Sequence, residues 1–189
     1  MDEKKIKVPD AEIEELVLQA QDGHTDAFAK LYDRFVQPIY RYIYYKVNKS
    51  DVFDLTEAVF LKAWENLQSY RKSSASFSAW LFRIAHNLVV DHYRLHKEPE
   101  QLDINVVDDK RDTDPRFLAE HKLTQRTLKI AIAKLNRKHQ QIILLSFIND
   151  LDNQEISKII GKSEGSLRIL KFRALKALKN ILQEMNVDY

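Results

Sequence analysis

Residues 152–181 read Asp-Asn-Gln-Glu-Ile-Ser-Lys-Ile-Ile-Gly-Lys-Ser-Glu-Gly-Ser-Leu-Arg-Ile-Leu-Lys-Phe-Arg-Ala-Leu-Lys-Ala-Leu-Lys-Asn-Ile, and their spacing decides the architecture of the C-terminal half. Asp152 with Glu155 three residues on is a capping-box arrangement that starts a helix. Ile156, Ile159 and Ile160 give that helix one buried face before Gly161 ends it. A new helix starts at about Ser163. A small residue, Ser157, lies on the first helix, and Leu167 and Leu170 lie on the second. Two helices crossing steeply need a small contact residue, a glycine in the turn and apolar residues on the second helix, so the stretch reads as a helix-turn-helix. The second helix of such a motif enters a DNA major groove. Leu167, Leu170, Ala174, Leu178 and Ile181 take its inward face, and Ser166, Arg168, Ile169, Phe172, Arg173 and Lys176 the outward one. Cations there suit phosphates, and Arg168 suits a guanine edge. A basic amphipathic helix after a short one also occurs in plain bundles, where the charge only solvates the surface.

Working back toward the N-terminus, apolar residues recur at three and four nearly everywhere, and the chain reads as all-α. Ile13, Leu16, Val17 and Ala20 stripe a first helix closed near Gly23, with Thr25 as the cap of the next. Phe28, Leu31, Tyr32 and Phe35 stripe a second, which Pro38 is expected to kink or interrupt because it has no N–H to donate. Leu55, Val59, Trp64 and Leu67 mark a third, with surplus apolar residues at Phe60 and Leu61. Residues 70–76 form a short polar loop before a helix in which Phe77, Trp80, Leu81, Ile84 and Leu88 share one side, and Trp80 reads as core. Between 98 and 114 acidic residues crowd a stretch without periodicity, a flexible linker by composition. Asp114-Pro115 is a helix start. Two small helical domains result, 1–97 and 115–189, the second containing the helix-turn-helix.

Composition narrows the function classes. The 189 residues include 3 Gly and no Cys. Glycine-rich nucleotide loops are therefore absent, and thiolate zinc sites, disulfides and a cysteine nucleophile are excluded. No apolar window suits a signal peptide or a membrane span. The expected setting is the cytoplasm. The net charge of +2 hides segregation, with acids at the N-terminus and linker and bases around the 70–76 loop and at the ends of the C-terminal domain.

Three blocks, Ala27 to Phe35, then Asp54-Leu55 with Phe60-Leu61-Lys62-Ala63-Trp64, then Ser78 to Asn87 with Asp91-His92-Tyr93-Arg94, resemble the promoter-melting domain of extracytoplasmic-function (ECF) sigma factors. Residues 135–178 resemble the C-terminal helix-turn-helix of the same family. The resemblance implies a non-enzymatic, dissociable subunit of bacterial RNA polymerase with no cofactor, metal or small-molecule substrate. Its partners would be core polymerase, through the clamp and flap, promoter DNA, and the anti-sigma protein that such factors often have. The resemblance places core docking on the helix near 51–68, through Asp54, Leu55, Glu57, Phe60 and Leu61. It places −10 reading on Tyr70, Arg71, Lys72, Arg83, Asn87 and Arg94, with Tyr70 stacking on an extruded base and Asn87 bonding its edge. The outward face of the last helix would read the −35 element.

The sequence departs from the family pattern in places. Glu57 and Ala58 stand where a Gln-Glu pair is usual, Ile169 and Leu170 replace a commoner Ser-Arg pair, and Leu175 replaces a frequent arginine. More methyl contacts at the groove face predict a thymine-rich −35 element. Two other readings are a dimeric helix-turn-helix regulator independent of polymerase, and a metal-dependent enzyme using His86, Asp91, His92 and His96, with His92 and His96 at ligand spacing.

Overall fold

A computed structural model describes residues 10–72, 75–95 and 115–185, with the side chains of Asp10 and of 115–124 excepted. The 98–114 linker, Asp114, His96 and the centre of the 70–76 loop lie outside these residues. All regular structure among the described residues is helical. The N-terminal half holds α1 (Asp10–Gln21), α2 (Thr25–Tyr44), α3 (Lys49–Glu65), a 3₁₀ turn (Leu67–Ser69) and α4 (Phe77–Leu95). The C-terminal half holds α5 (Pro115–Lys134), α6 (Arg137–Ile143), a π turn (Leu144–Ile148), α7 (Asn153–Ile160) and α8 (Glu164–Glu184).

The period-of-three-and-four residues form the cores. Leu31, Ile39, Ile43, Val52, Val59, Phe77 and Leu81 are buried between α2, α3 and α4. Ile132, Ile142, Ile143, Ile156 and Leu167 do the same between α5, α6, α7 and α8. Dispersion and the hydrophobic effect on these faces supply what short helices lack by themselves.

Two local expectations meet the structure: of the kink or interruption expected at Pro38 the interruption is absent, and the cap of α2 is not Thr25. Helix α2 runs uninterrupted through Pro38; on either side of it Phe35, Ile39 and Tyr42 are buried, and packing of that face outweighs one missing hydrogen bond. Thr25 is the first helical residue, and His24 is the N-cap. The reason lies in how α1 ends. With Gly23 at φ +94, the N–H of Gly23 donates to Ala20 O and that of His24 to Gln19 O at 3.0 Å, a Schellman stop. His24 therefore finishes one helix and opens the next. In the other half, the apolar 142–148 run is a short α-helix widened into the π turn. Asp150 then takes φ 56, and this turn brings Leu151 into the core just before Asp152.

The halves touch. Helix α4 packs against α7, and α2 against the π turn.

Candidate nucleic-acid interface

The α7–turn–α8 unit is built by caps. Asp152 Oδ1 accepts from Glu155 N at 2.8 Å, and Glu155 Oε2 accepts from Asp152 N at 3.1 Å, the reciprocal box expected from the sequence. Gly161 closes α7 at φ +70, a conformation that costs other residues. Ser157 does more than allow close approach: its Oγ donates to Lys162 O, tying the turn to α7. Ser163 caps α8, accepting from Ser166 N.

With the start of α8 fixed, its rotation follows. Leu167, Ala174 and Leu182 are buried, so Ser166, Arg168, Ile169, Phe172, Arg173 and Lys176 all stand exposed. Phe172 is 69% and Ile169 57% exposed, two large apolar side chains that α8 presents among Arg168 and Arg173. A groove of about 770 Å³ opens beside them, lined by Asn136, Arg137, Lys138, His139 and Lys162 together with Ser166, Ile169 and Arg173. The basic residues 137–139 and Lys162 were not singled out from sequence. They are presented by the start of α6, where Asn136 Oδ1 accepts from His139 N at 2.9 Å. An Asn cap followed by Arg-Lys-His is the signal that could have found them.

On α4, Arg83, Asn87 and Arg94 are exposed. Arg94 lies 3.6 Å from Asp91 with both side chains in solvent, a pairing that leaves it free to exchange partners. Before the helix, Arg71 donates from Nη1 to Gln68 O and Tyr70 O, and Lys72 is exposed. Tyr70 differs from its expected placement. It is 4% exposed, its ring packs on Phe77 and Trp80, and its hydroxyl lies 2.8 Å from Glu14 Oε1 and 3.0 Å from Ala75 O, its one proton shared between the two acceptors. A hydroxyl with two buried acceptors and a ring with two aromatic neighbours hold it inside, beneath the loop. Gln21, donating to Leu67 O and Tyr70 O, secures the same segment from α1. Trp80 is half-buried against Tyr70 and Phe77.

The α3 surface also differs in detail. Asp54, Glu57 and Leu61 are exposed and Leu55 is half-buried. Phe60 is buried, its ring edge-on to Tyr32 at 4.7 Å, so it supports the surface from beneath. The outward apolar groups are Phe53, Leu61 and Trp64, at 63%, 59% and 42% exposure. With Tyr32 and Phe28, Trp64 lines a shallow apolar hollow of about 350 Å³. Counting Phe53, Glu57, Leu61 and Trp64 at helical spacing is the signal that would have separated the outer stripe from the core one.

A third polar cluster lies where α2, α4 and α6 meet. His86 Nδ1 is 3.2 Å from both Tyr42 Oη and Gln141 Nε2. Lys46 is 5% exposed, its amine 5.2 Å from the centre of the Tyr42 ring; burial, with Arg137 adding to it, pushes the Lys46 pKa down to about 8. Burial and then Lys46 push the His86 pKa below the ordinary histidine value. His92, expected as a ligand in the metal reading, is 3.3 Å from Asp51. Among the described residues no three acidic or imidazole groups converge, and no helix is long and apolar enough to cross a membrane.

Comparison with known proteins places these surfaces in context. The family model for sigma-70 region 2 matches residues 31–98, and that for sigma-70 region 4 matches 126–178. The ECF RNA polymerase sigma factor BldN of Streptomyces coelicolor is 35% identical over 181 residues, which cover 92% of this chain and 67% of BldN. Among solved structures, CnrH in complex with the cytosolic domain of CnrY superposes with a TM-score of 0.71 at 24% identity, over 92% of this chain and 98% of that one. The sigma factor RpoE of Bartonella quintana, solved with the anti-sigma factor NepR, gives 0.61 at 18% identity over 82% and 96%. Both structures share the fold.

Proposed function

The chain belongs to the ECF-type RNA polymerase sigma factors, non-enzymatic subunits that direct promoter-specific transcription initiation, and from that premise we propose how its surfaces divide the task. Residues 1–97 dock on core polymerase and melt the −10 element, 98–114 form the connection, and 115–189 read the −35 element. The observation that carries the −35 assignment is the α8 face, whose exposed Arg168, Ile169, Phe172, Arg173 and Lys176 follow a doubly capped turn. Phosphate contacts fall to Lys176 and to Arg137, Lys138 and Lys162 beside the groove. Arg168 reads a guanine edge, and Ile169 with Phe172 meets thymine methyls.

For the −10 element, Arg83, Asn87 and Arg94 on α4, with Arg71 and Lys72 before it, engage unpaired DNA. Tyr70 serves as the buried support of that loop. Core docking falls to the outer stripe of α3, where Phe53, Leu61 and Trp64 stand among Asp54 and Glu57, a combination suited to a partner helix with an apolar stripe and basic flanks. A flap contact by the C-terminal half, an anti-sigma partner of the kind solved with CnrH and RpoE, and a bacterial cytoplasmic setting complete the reading.

The test is a footprint of holoenzyme on promoter variants. Arg168→Ala should relax preference at one −35 base pair at a cost of ~1–3 kcal/mol, and Ile169→Ser should alter preference at a thymine-bearing position. Uniform weakening at every site would reduce both to phosphate or packing roles.

A further inference from the structure

Helix α1 holds the 70–76 loop at both ends. At the entrance, Gln21 Nε2 donates to Leu67 O at 2.8 Å and to Tyr70 O at 3.2 Å, and Gln68 Nε2 returns a bond to Gln21 O. That oxygen belongs to the last turn of α1, where carbonyls lack helical donors, so the segment before the loop completes the helix end. At the exit, the Tyr70 hydroxyl lies 2.8 Å from Glu14 Oε1 and 3.0 Å from Ala75 O. Ala75 is followed by Ser76, whose Oγ accepts from Ala79 N at 3.2 Å and whose carbonyl accepts from Trp80 N at 3.0 Å, an N-cap for α4. One hydroxyl thus ties α1 to the far end of the loop and the first turn of α4.

The same bonds reach a cation assigned above to DNA. Arg71 Nη1 donates to Gln68 O at 2.6 Å and to Tyr70 O at 2.8 Å. Tyr70 O therefore accepts from Gln21 and Arg71 together, which uses both lone pairs of the carbonyl. The path from α1 to the Arg71 guanidinium runs through that single atom. Glu14 is 9% exposed and Tyr70 4%, so neither meets DNA, whereas Arg71 and Lys72 are exposed. Side chains on a loop are held less precisely than those on a helix unless packing and hydrogen bonds lock what supports them. Here the support lies in α1, 46 to 56 residues earlier in the chain.

Resting on the −10 assignment above, we infer that α1 positions the −10 surface: Gln21 and Glu14, by fixing Tyr70, set where Arg71 and Lys72 stand relative to Arg83 and Asn87 on α4. Base preference at −10 then depends on two residues that act through Tyr70 and not on DNA directly. Gln21 and Gln68 form a reciprocal pair, side chain to backbone in each direction, which resists sliding of the loop along the helix end. The Tyr70 hydroxyl adds a second point of attachment, which resists tilting, and its ring against Phe77 and Trp80 carries the position to α4. Plain stabilisation needs only the burial of Tyr70. The acceptor that Gln21 shares with Arg71 is what makes the support felt at the reading surface.

The test is transcription by holoenzyme, the full-length chain with bacterial core polymerase, on a promoter library randomised at −10 and at −35. Arg71→Ala first marks the −10 position whose base preference depends on that side chain. Gln21→Met, similar in length but without a donor, should flatten preference at the same position by about 3- to 10-fold, the size of one net hydrogen bond, with −35 preference and core affinity unchanged. The double variant Gln21→Met with Arg71→Ala should lose no more than Arg71→Ala alone, since residues sharing a partner do not add. Glu14→Met should flatten the preference too, and Glu14→Gln, which keeps an acceptor for the Tyr70 hydroxyl, should retain it. Thermal melts accompany each variant, and if Gln21→Met does not fold, Gln68→Met at an exposed position breaks the same pair. Equal loss at every promoter, additivity with Arg71→Ala, or −10 preference that Asn87→Ala flattens and Gln21→Met leaves intact overturns the positioning role while the −10 assignment of α4 stands. Arg71→Ala and Asn87→Ala that both leave −10 preference unaltered refute that assignment, and the inference falls with it.

Discussion

Replacing Lys46 with methionine should stabilise the protein. Methionine matches the length of the lysine stem and removes its charge. Lys46 is 5% exposed, its amine beside the Tyr42 ring and near Arg137, and among the described residues no carboxylate pairs with it. Its pKa falls from 10.5 to about 8, and at ~1.4 kcal/mol for each tenfold in the protonation equilibrium the buried charge costs about 3 kcal/mol at neutral pH. Methionine gives up a cation–π contact of about 0.5–1 kcal/mol, so Lys46→Met should gain about 1–3 kcal/mol. Urea unfolding followed by circular dichroism measures it. The folded chain holds the Lys46 proton less tightly than the unfolded one, so wild-type stability from this group rises between about pH 8 and 10.5. The methionine variant lacks the proton. Its advantage should be full at pH 7 and fall to less than half by about pH 9.5. A variant less stable than wild type at pH 7, or an advantage equal at both pH values, would refute the assignment of a buried, poorly compensated charge.

Three other outcomes are expected. Tyr70→Phe should lower stability by about 1–3 kcal/mol, because the Glu14 carboxylate and Ala75 carbonyl lose a buried donor; thermal melts read it, and no change would mean the hydroxyl is solvent-bound. Gly161→Ala should cost about 1–2 kcal/mol by backbone conformation alone, since a Cβ there meets nothing within 4 Å. Leu61→Ser, on an exposed position, should leave the melting temperature unaltered and weaken core polymerase binding severalfold. Equal binding with an equal melt would move the docking surface elsewhere.

The helices, the caps and the outward face of α8 were legible because each rests on local rules. A capping box, a glycine stop and a 3.6-residue stripe act within a dozen residues, and Asp152, Gly161 and Leu167 behave accordingly. Tyr70 and Phe60 were misplaced because an aromatic near a functional loop looks alike from sequence whether it faces out or in. Their burial depends on Glu14, Phe77 and Tyr32, far along the chain. Phe53 was missed for the converse reason, since an apolar residue near a helix start reads as core until the rotation of α3 is known. Thr25 lost its cap role to His24 through the way α1 ends. The contact between the halves was invisible: Ser76 Oγ with Glu155 Oε1 and His86 with Gln141 pair across more than fifty residues, without periodicity to announce them.

The most direct test of the central claim is transcription in vitro by bacterial core RNA polymerase with and without this protein, the start sites being mapped on a promoter library. Added protein should produce transcripts from a discrete promoter set whose −35 preference changes with Arg168→Ala or Ile169→Ser and whose opening weakens with Asn87→Ala. Core polymerase that fails to bind the protein, or that starts no new transcript in its presence, would contradict the account.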